Sequence, residues 1–169
     1  MTDAEFETAF DENKDAVYRF AWRMSGSAAA ADDITQDVFV TLLRHPRRFD
    51  PTRGTLRAFL LGIARNLVLK RWRAEHRFEP LDEDADAAEP VDLERGEVGE
   101  IVGRAVRALP PLQREVLVLA EYEGLTLAEV ARAVDADVGT IKSRLHRARE
   151  NLRRALAPLQ HRPPIVRIL

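Results

Sequence analysis

The chain has 169 residues, 46% hydrophobic and 32% charged, with 26 Lys and Arg against 28 Asp and Glu for a net charge of −2. That length holds one domain or two small ones with true cores, and richness in Ala, Leu, Arg and Glu leans towards helix. The absence of cysteine excludes disulfides and thiolate metal sites, and His45, His76, His146 and His161 lack metal-ligand spacing. The acidic start, Met1 to Glu5, has no apolar core of a signal peptide, and no apolar run approaches the roughly 20 residues needed to cross a bilayer. A soluble, cytoplasmic, all-helical protein without cofactor or metal is expected.

Charge is unevenly spread. Residues 1–78 hold 13 basic and 11 acidic side chains, net +2; residues 79–100 hold 1 and 10, net −9; residues 101–169 hold 12 and 7, net +5. Two mildly basic blocks therefore flank an acidic spacer.

In the first block, residues 1–78, Phe6, Phe10, Val17, Phe20, Ala21 and Met24 share one stripe at helical spacing, which ends near Ser25-Gly26-Ser27. A second helix is expected from Ala28 to Arg44, with Ile34, Val38, Leu42 and Phe39 inward. Asp32, Asp33, Gln36 and Asp37 lie towards its N-terminal half, where acids suit the helix dipole. Pro46 and Asp50-Pro51-Thr52-Arg53-Gly54 break the chain. A third helix from Leu56 to His76 would bury Leu56, Phe59, Leu60, Ile63, Leu67 and Leu69. Its far end clusters Arg65, Asn66, Lys70, Arg71, Trp72, Arg73 and Arg77. A helix dipole accounts for one or two of these cations. Five basic residues around an aromatic ring and an amide suit a strand of nucleic acid, pairing with phosphates and stacking on bases.

The spacer, residues 79–100, opens Glu79-Pro80-Leu81-Asp82-Glu83-Asp84, with two prolines in its first dozen residues and no helical period there. It cannot bury enough apolar surface to order itself, and self-repulsion extends it. It reads as a solubilising linker, or as a negative strap that keeps the basic faces off random DNA.

The second block, residues 101–160, carries the strongest local signal. Leu109-Pro110-Pro111-Leu112 opens a helix that Glu123-Gly124 closes. Thr126-Leu127-Ala128-Glu129 is a capping box, and the short helix after it turns Leu127, Val130, Ala131 and Val134 inward. Asp135-Ala136-Asp137 forms a tight turn, with Asp137 capping a helix packed through Ile141, Leu145, Ala148 and Leu152. Thr140, Lys142, Ser143, Arg144 and Arg147 project from its other faces. Two helices, a short turn and Arg, Ser and Thr on the second make a helix-turn-helix that fits a DNA major groove. The tail, residues 161–169, holds Pro163-Pro164 and then Ile165-Val166-Arg167-Ile168-Leu169, and reads either as disordered or as packed on the last helix.

Joined in order, these stretches resemble a known family. Ala31-Asp32-Asp33-Ile34-Thr35-Gln36-Asp37-Val38-Phe39 looks like the AEDxxQexF signature of sigma region two, and Ile63-Ala64-Arg65-Asn66 like the IARN signature after it. Leu109-Pro110, Gln113-Arg114-Glu115-Val116-Leu117 and Gly139-Thr140-Ile141-Lys142-Ser143-Arg144-Leu145-His146-Arg147-Ala148-Arg149 are similar to sigma region four. This is the plan of the extracytoplasmic-function (ECF) sigma factors, and the resemblance spans roughly residues 5–157.

The resemblance implies two small helical domains and a transcription initiation factor rather than an enzyme. Asp32, Asp33, Gln36 and Asp37 would dock on the RNA polymerase core. Arg53, Arg57, Asn66, Lys70, Arg71 and Arg73 would hold and melt the minus-ten promoter element. Thr140, Lys142, Ser143, Arg144 and Arg147 would read the minus-thirty-five element, and an anti-sigma protein would restrain the whole. Asp32, Phe59, Lys70 and Trp72 depart from the residues usual at their positions, and the Val134-Asp135-Ala136-Asp137 turn lacks the usual glycine. The spacer could stretch to about 70 Å at roughly 3.3 Å per residue. That accommodates promoter elements about 20 base pairs apart. The alternative is a stand-alone helix-turn-helix regulator, which leaves Asp32 to Phe39 and the basic third helix unexplained. No nucleophile–base pair or phosphate loop supports an enzyme.

Overall fold

The computed structural model describes residues 1–77, 79–81 and 90–161, and among them every regular element is helical. The acidic run 82–89 and the tail 162–169, on which the strap and tail readings rest, lie outside the described residues.

Helix α1, Asp3–Ser25, starts at a capping box in which the Thr2 hydroxyl accepts from the Glu5 amide and the Glu5 carboxylate from the Thr2 amide. It ends at Gly26 in left-handed geometry, φ 69°. Helix α2, Ala28–Arg44, is capped by Ser27, and a 3₁₀ turn at Pro46–Arg48 leads into the loop before α3, Leu56–Glu75. Phe20, Ala21, Ile34, Val38, Leu42, Leu60, Leu61 and Ala64 fill the core between these helices. Phe10, expected inward, stands at the margin of that core, its ring edge-on to Phe39 at 4.8 Å.

The buried face of α3 differs from expectation. Leu56, Phe59, Ile63 and Leu67 are only partly covered, whereas Ala58, Leu60, Leu61, Gly62, Ala64, Val68 and Leu69 are buried. The helix packs on two sides: on α1 and α2 with one, and on the second block with the other. A single stripe cannot describe a helix between two partners.

The second block begins earlier than the sequence pattern suggested. Helix α4, Val98–Arg107, occupies the end of the acidic spacer and buries Ile101, Ala105 and Val106 against α1 and α7. Helix α5, Pro111–Leu117, runs without a break into a π-helical turn at Val118–Tyr122, which ends before Gly124 (φ 68°). Helix α6, Leu127–Ala133, starts at the expected capping box, and α7, Val138–Leu156, starts at Asp137. In the turn between them Asp135 takes φ 54°, supplying the left-handed residue usually given by glycine.

The two blocks close on each other. Helix α6 lies on α3, where a Cβ placed on Gly62 would stand 3.5 Å from Ala133 Cα and 3.8 Å from its Cβ. Arg114, whose guanidinium also donates to Leu109 O, reaches Met24 O at 2.5 Å at the C-terminal end of α1.

Candidate nucleic-acid interface

Three groups of side chains define the candidate surfaces. On α2, Asp32, Asp33, Gln36 and Asp37 are all exposed, and their spacing at i, i+4 sets them side by side on one polar face. Arg71 Nη2 donates to Asp33 Oδ2 at 3.1 Å, tying that acidic face to the basic end of α3.

On α3 and the loop before it, Arg53, Asn66, Lys70 and Arg73 are exposed. Trp72 is half-buried, its ring stacked on His76 with centroids 4.5 Å apart and planes 12° from parallel. Arg57 stands apart from this group. Its Nη2 donates to Glu123 Oε2 at 2.6 Å and to Glu123 O at 3.1 Å. Arg65 is turned to the second block as well, its Nε 2.7 Å from Glu115 Oε2 and Nη2 3.0 Å from Oε1.

On α7 the N-cap fixes the start of the helix. Asp137 Oδ1 accepts from the Thr140 amide at 2.7 Å, and that bond holds its carboxyl below the usual aspartate value. Lys142 and Ser143 face solvent and Thr140 and Arg147 are half-exposed. Arg144, grouped with them by sequence, is buried instead, with Nη1 3.7 Å from Glu115 Oε1.

Two glutamates thus sit at the seam, each with no exposed side-chain surface. Glu115 takes Arg65 from α3 and Arg144 from α7. Glu123 takes Arg57 from α3, with Arg19 and Arg23 of α1 each at 3.6 Å. Burial pushes the Glu115 carboxyl above its ordinary value even against the pull of Arg65 and Arg144. For Glu115, burial therefore outweighs the pull of its arginine partners. Arg132 of α6 donates to Arg53 O, and beneath it lies a cavity of about 510 Å³ lined by Phe49, Phe59, Asn66 and Glu129 among others.

Sequence reasoning missed both glutamates. One signal was available: Glu115 falls on the apolar stripe of Leu112, Val116 and Leu119, where a charge has no place unless a partner arrives. Glu123 continues the same spacing four residues after Leu119, but beside Gly124 at the expected end of the helix a charge is ordinary, so its burial could not be read there.

The comparisons agree with this architecture. The Sigma-70 region 2 family matches residues 9–78, and the Sigma-70, region 4 family matches residues 99–152. The ECF RNA polymerase sigma factor SigE of Mycolicibacterium smegmatis is 35% identical over 154 residues, covering 86% of this chain and 59% of SigE, so the chain spans about three-fifths of that relative. SigK of Mycobacterium tuberculosis is 30% identical over 161 residues, covering 90% of this chain and 86% of SigK. Among solved structures, the sigma factor RpoE in complex with the anti-sigma factor NepR from Bartonella quintana superposes with a TM-score of 0.72 at 25% identity, covering 90% of this chain and 97% of that one. CnrH in complex with the cytosolic domain of CnrY gives 0.70 at 25% identity, covering 93% and 90%.

A helical unit followed by a helix-turn-helix, each matched in order, defines the sigma-70 class of transcription initiation factors. Within that class the chain belongs to the ECF RNA polymerase sigma factors.

Proposed function

We propose that this chain binds the RNA polymerase core, carries it to a promoter and helps to open the duplex, catalysing no reaction itself. Its place of action is the cytoplasm, and among the described residues no helix is long and apolar enough to cross a membrane. The units are residues 1–78 and, counted from the start of α4, 98–160, with 79–97 as the link and 161–169 as the tail. Asp32, Asp33, Gln36 and Asp37 dock on the polymerase. Arg53, Arg57, Asn66, Lys70, Arg71 and Arg73 take the minus-ten element. Thr140, Lys142, Ser143, Arg144 and Arg147 take the minus-thirty-five element. RpoE is seen in complex with the anti-sigma factor NepR, and CnrH in complex with the cytosolic domain of CnrY. We place this chain under the same kind of partner.

One observation carries the reading: α7, capped at Asp137, turns Lys142 and Ser143 to solvent, while α2 and α3 of the other unit expose an acidic face and a basic end. Cations at a helix face pair with phosphates and guanine edges, and the opened strand is held by cations and stacking rings. Two weak readers on one chain gain affinity through effective concentration.

Run-off transcription with core polymerase over a genomic promoter library tests this. Initiation from a defined promoter set is expected. Asp33→Ala with Asp37→Ala should weaken core association several-fold, and Lys142→Ala should weaken promoter binding. Absence of initiation from every promoter, under conditions where a known sigma factor works, defeats the proposal.

A further inference from the structure

We infer that the cleft where α1, α4 and the π turn meet is a binding site for a purine nucleotide. The cleft shares no residue with the polymerase and promoter surfaces proposed above, and the inference does not depend on them. It holds about 530 Å³, within the roughly 300–1,000 Å³ of small-molecule sites. Trp22 and Arg23 of α1 form one wall, Gly99, Gly103, Arg104 and Arg107 of α4 line another, and Tyr122 of the π turn lies against both.

Two large rings stand open to solvent here, Trp22 38% and Tyr122 40% exposed. Each carries a guanidinium on its face: Arg107 lies 4.8 Å from the centre of the Trp22 ring, and Arg23 4.2 Å from that of Tyr122. These stacks hold the planes in place, and a nucleobase stacks on aromatic rings and guanidinium planes alike. Beside them the surface of α4 is bare. A Cβ placed on Gly99 would meet nothing within 4 Å, and one on Gly103 would meet Arg107 Nη1 at 3.4 Å. Their spacing of four sets both glycines on one side of the helix, so a flat ring can lie close to its backbone.

The charge of the cleft suits phosphate. Arg104 and Arg107 form no ion pair among the described residues. Arg104 Nη2 donates to Asp92 O at 2.8 Å and to Arg95 O, carbonyls that hold the group without neutralising it, and its Nε is buried with no hydrogen-bond partner. Arg23 is shared with Glu123 Oε1 at 3.6 Å, and Glu100 adds one exposed carboxylate to the rim, which Arg104 and Arg107 together outweigh. Guanidinium forks match phosphate oxygens in shape as well as charge. A bare phosphate would leave the rings uncovered, and an uncharged ring would leave the cations unpaired. A purine nucleotide meets both.

The test uses the full chain without polymerase or DNA. There are two tryptophans, so Trp72→Phe leaves Trp22 as the sole fluorescent reporter. Titration with ADP and GDP should quench its emission saturably in the micromolar range, while adenosine, UDP and pyrophosphate bind at least about tenfold more weakly. In that background Arg107→Ala should weaken nucleotide binding by about tenfold, whereas Lys142→Ala, the same loss of charge outside the cleft, should leave it unchanged. Gly99→Met removes a glycine from a helix without a clash, so it should melt no lower than its parent and yet block the cleft. No saturable quenching by ADP or GDP up to about 1 mM overturns the site. So does pyrophosphate, UDP or adenosine binding as tightly as either, equal weakening by the two charge variants, or unchanged binding in Gly99→Met. None of these outcomes touches the proposed function, which run-off transcription decides separately.

Discussion

Asp137 shows how much rests on one side chain. Its carboxylate accepts from the Thr140 amide and starts the helix that bears Lys142 and Ser143. Because that bond lowers its value in the folded state, the stabilisation is present above the ordinary aspartate range and is lost as pH falls through the lowered value. Acidification below about pH 4 should therefore fray the start of α7, and Asp137→Asn should flatten this part of the pH profile in thermal melts. A melt whose pH dependence is the same in wild type and variant would contradict it. The cap was legible from sequence because an N-cap acts over three residues. Arg144 was not: its spacing groups it with Lys142 and Ser143, and only the arrival of Glu115, 29 positions earlier, turns it inward.

Among the elements, α2, α6 and α7 follow directly from caps and spacing, and the ends of α2 fall where Ser27 and Pro46 place them. Helix α4 was illegible because Gly99 and Gly103 weaken its propensity and the acidic spacer runs into it. Packing supplies what propensity lacks. Ile101 is fully buried between α1 and α7, so Ile101→Ala should cost about 2–5 kcal/mol in denaturant unfolding. A loss under 1 kcal/mol would mean that α4 is dispensable to the second unit. The doubled face of α3 escaped for a different reason. Hydrophobic spacing reports that a helix is buried, but a second partner held by ion pairs leaves no apolar stripe to count.

For the whole molecule, the two-unit plan and the cationic faces were written in the charge distribution, while the closure between the units was not. The pair Arg65–Glu115 joins positions 50 apart with no periodicity to connect them. The seam and the DNA contacts should also respond differently to salt. Buried pairs are weakly screened, whereas each phosphate contact adds roughly one to the slope of log affinity against log salt. Lys142→Ala should therefore reduce that slope by about one when measured on the promoter duplex, and an unchanged slope would remove Lys142 from the contact.

The bare backbone of Gly62 beneath Ala133 gives the seam one more property. With 3.5 Å to the facing Cα, a methyl group at position 62 fits at ordinary contact distance, while a branched or aromatic group would act as a wedge and prise α6 from α3. The bulk of the side chain at position 62 therefore sets how closely the second unit can lie on the first.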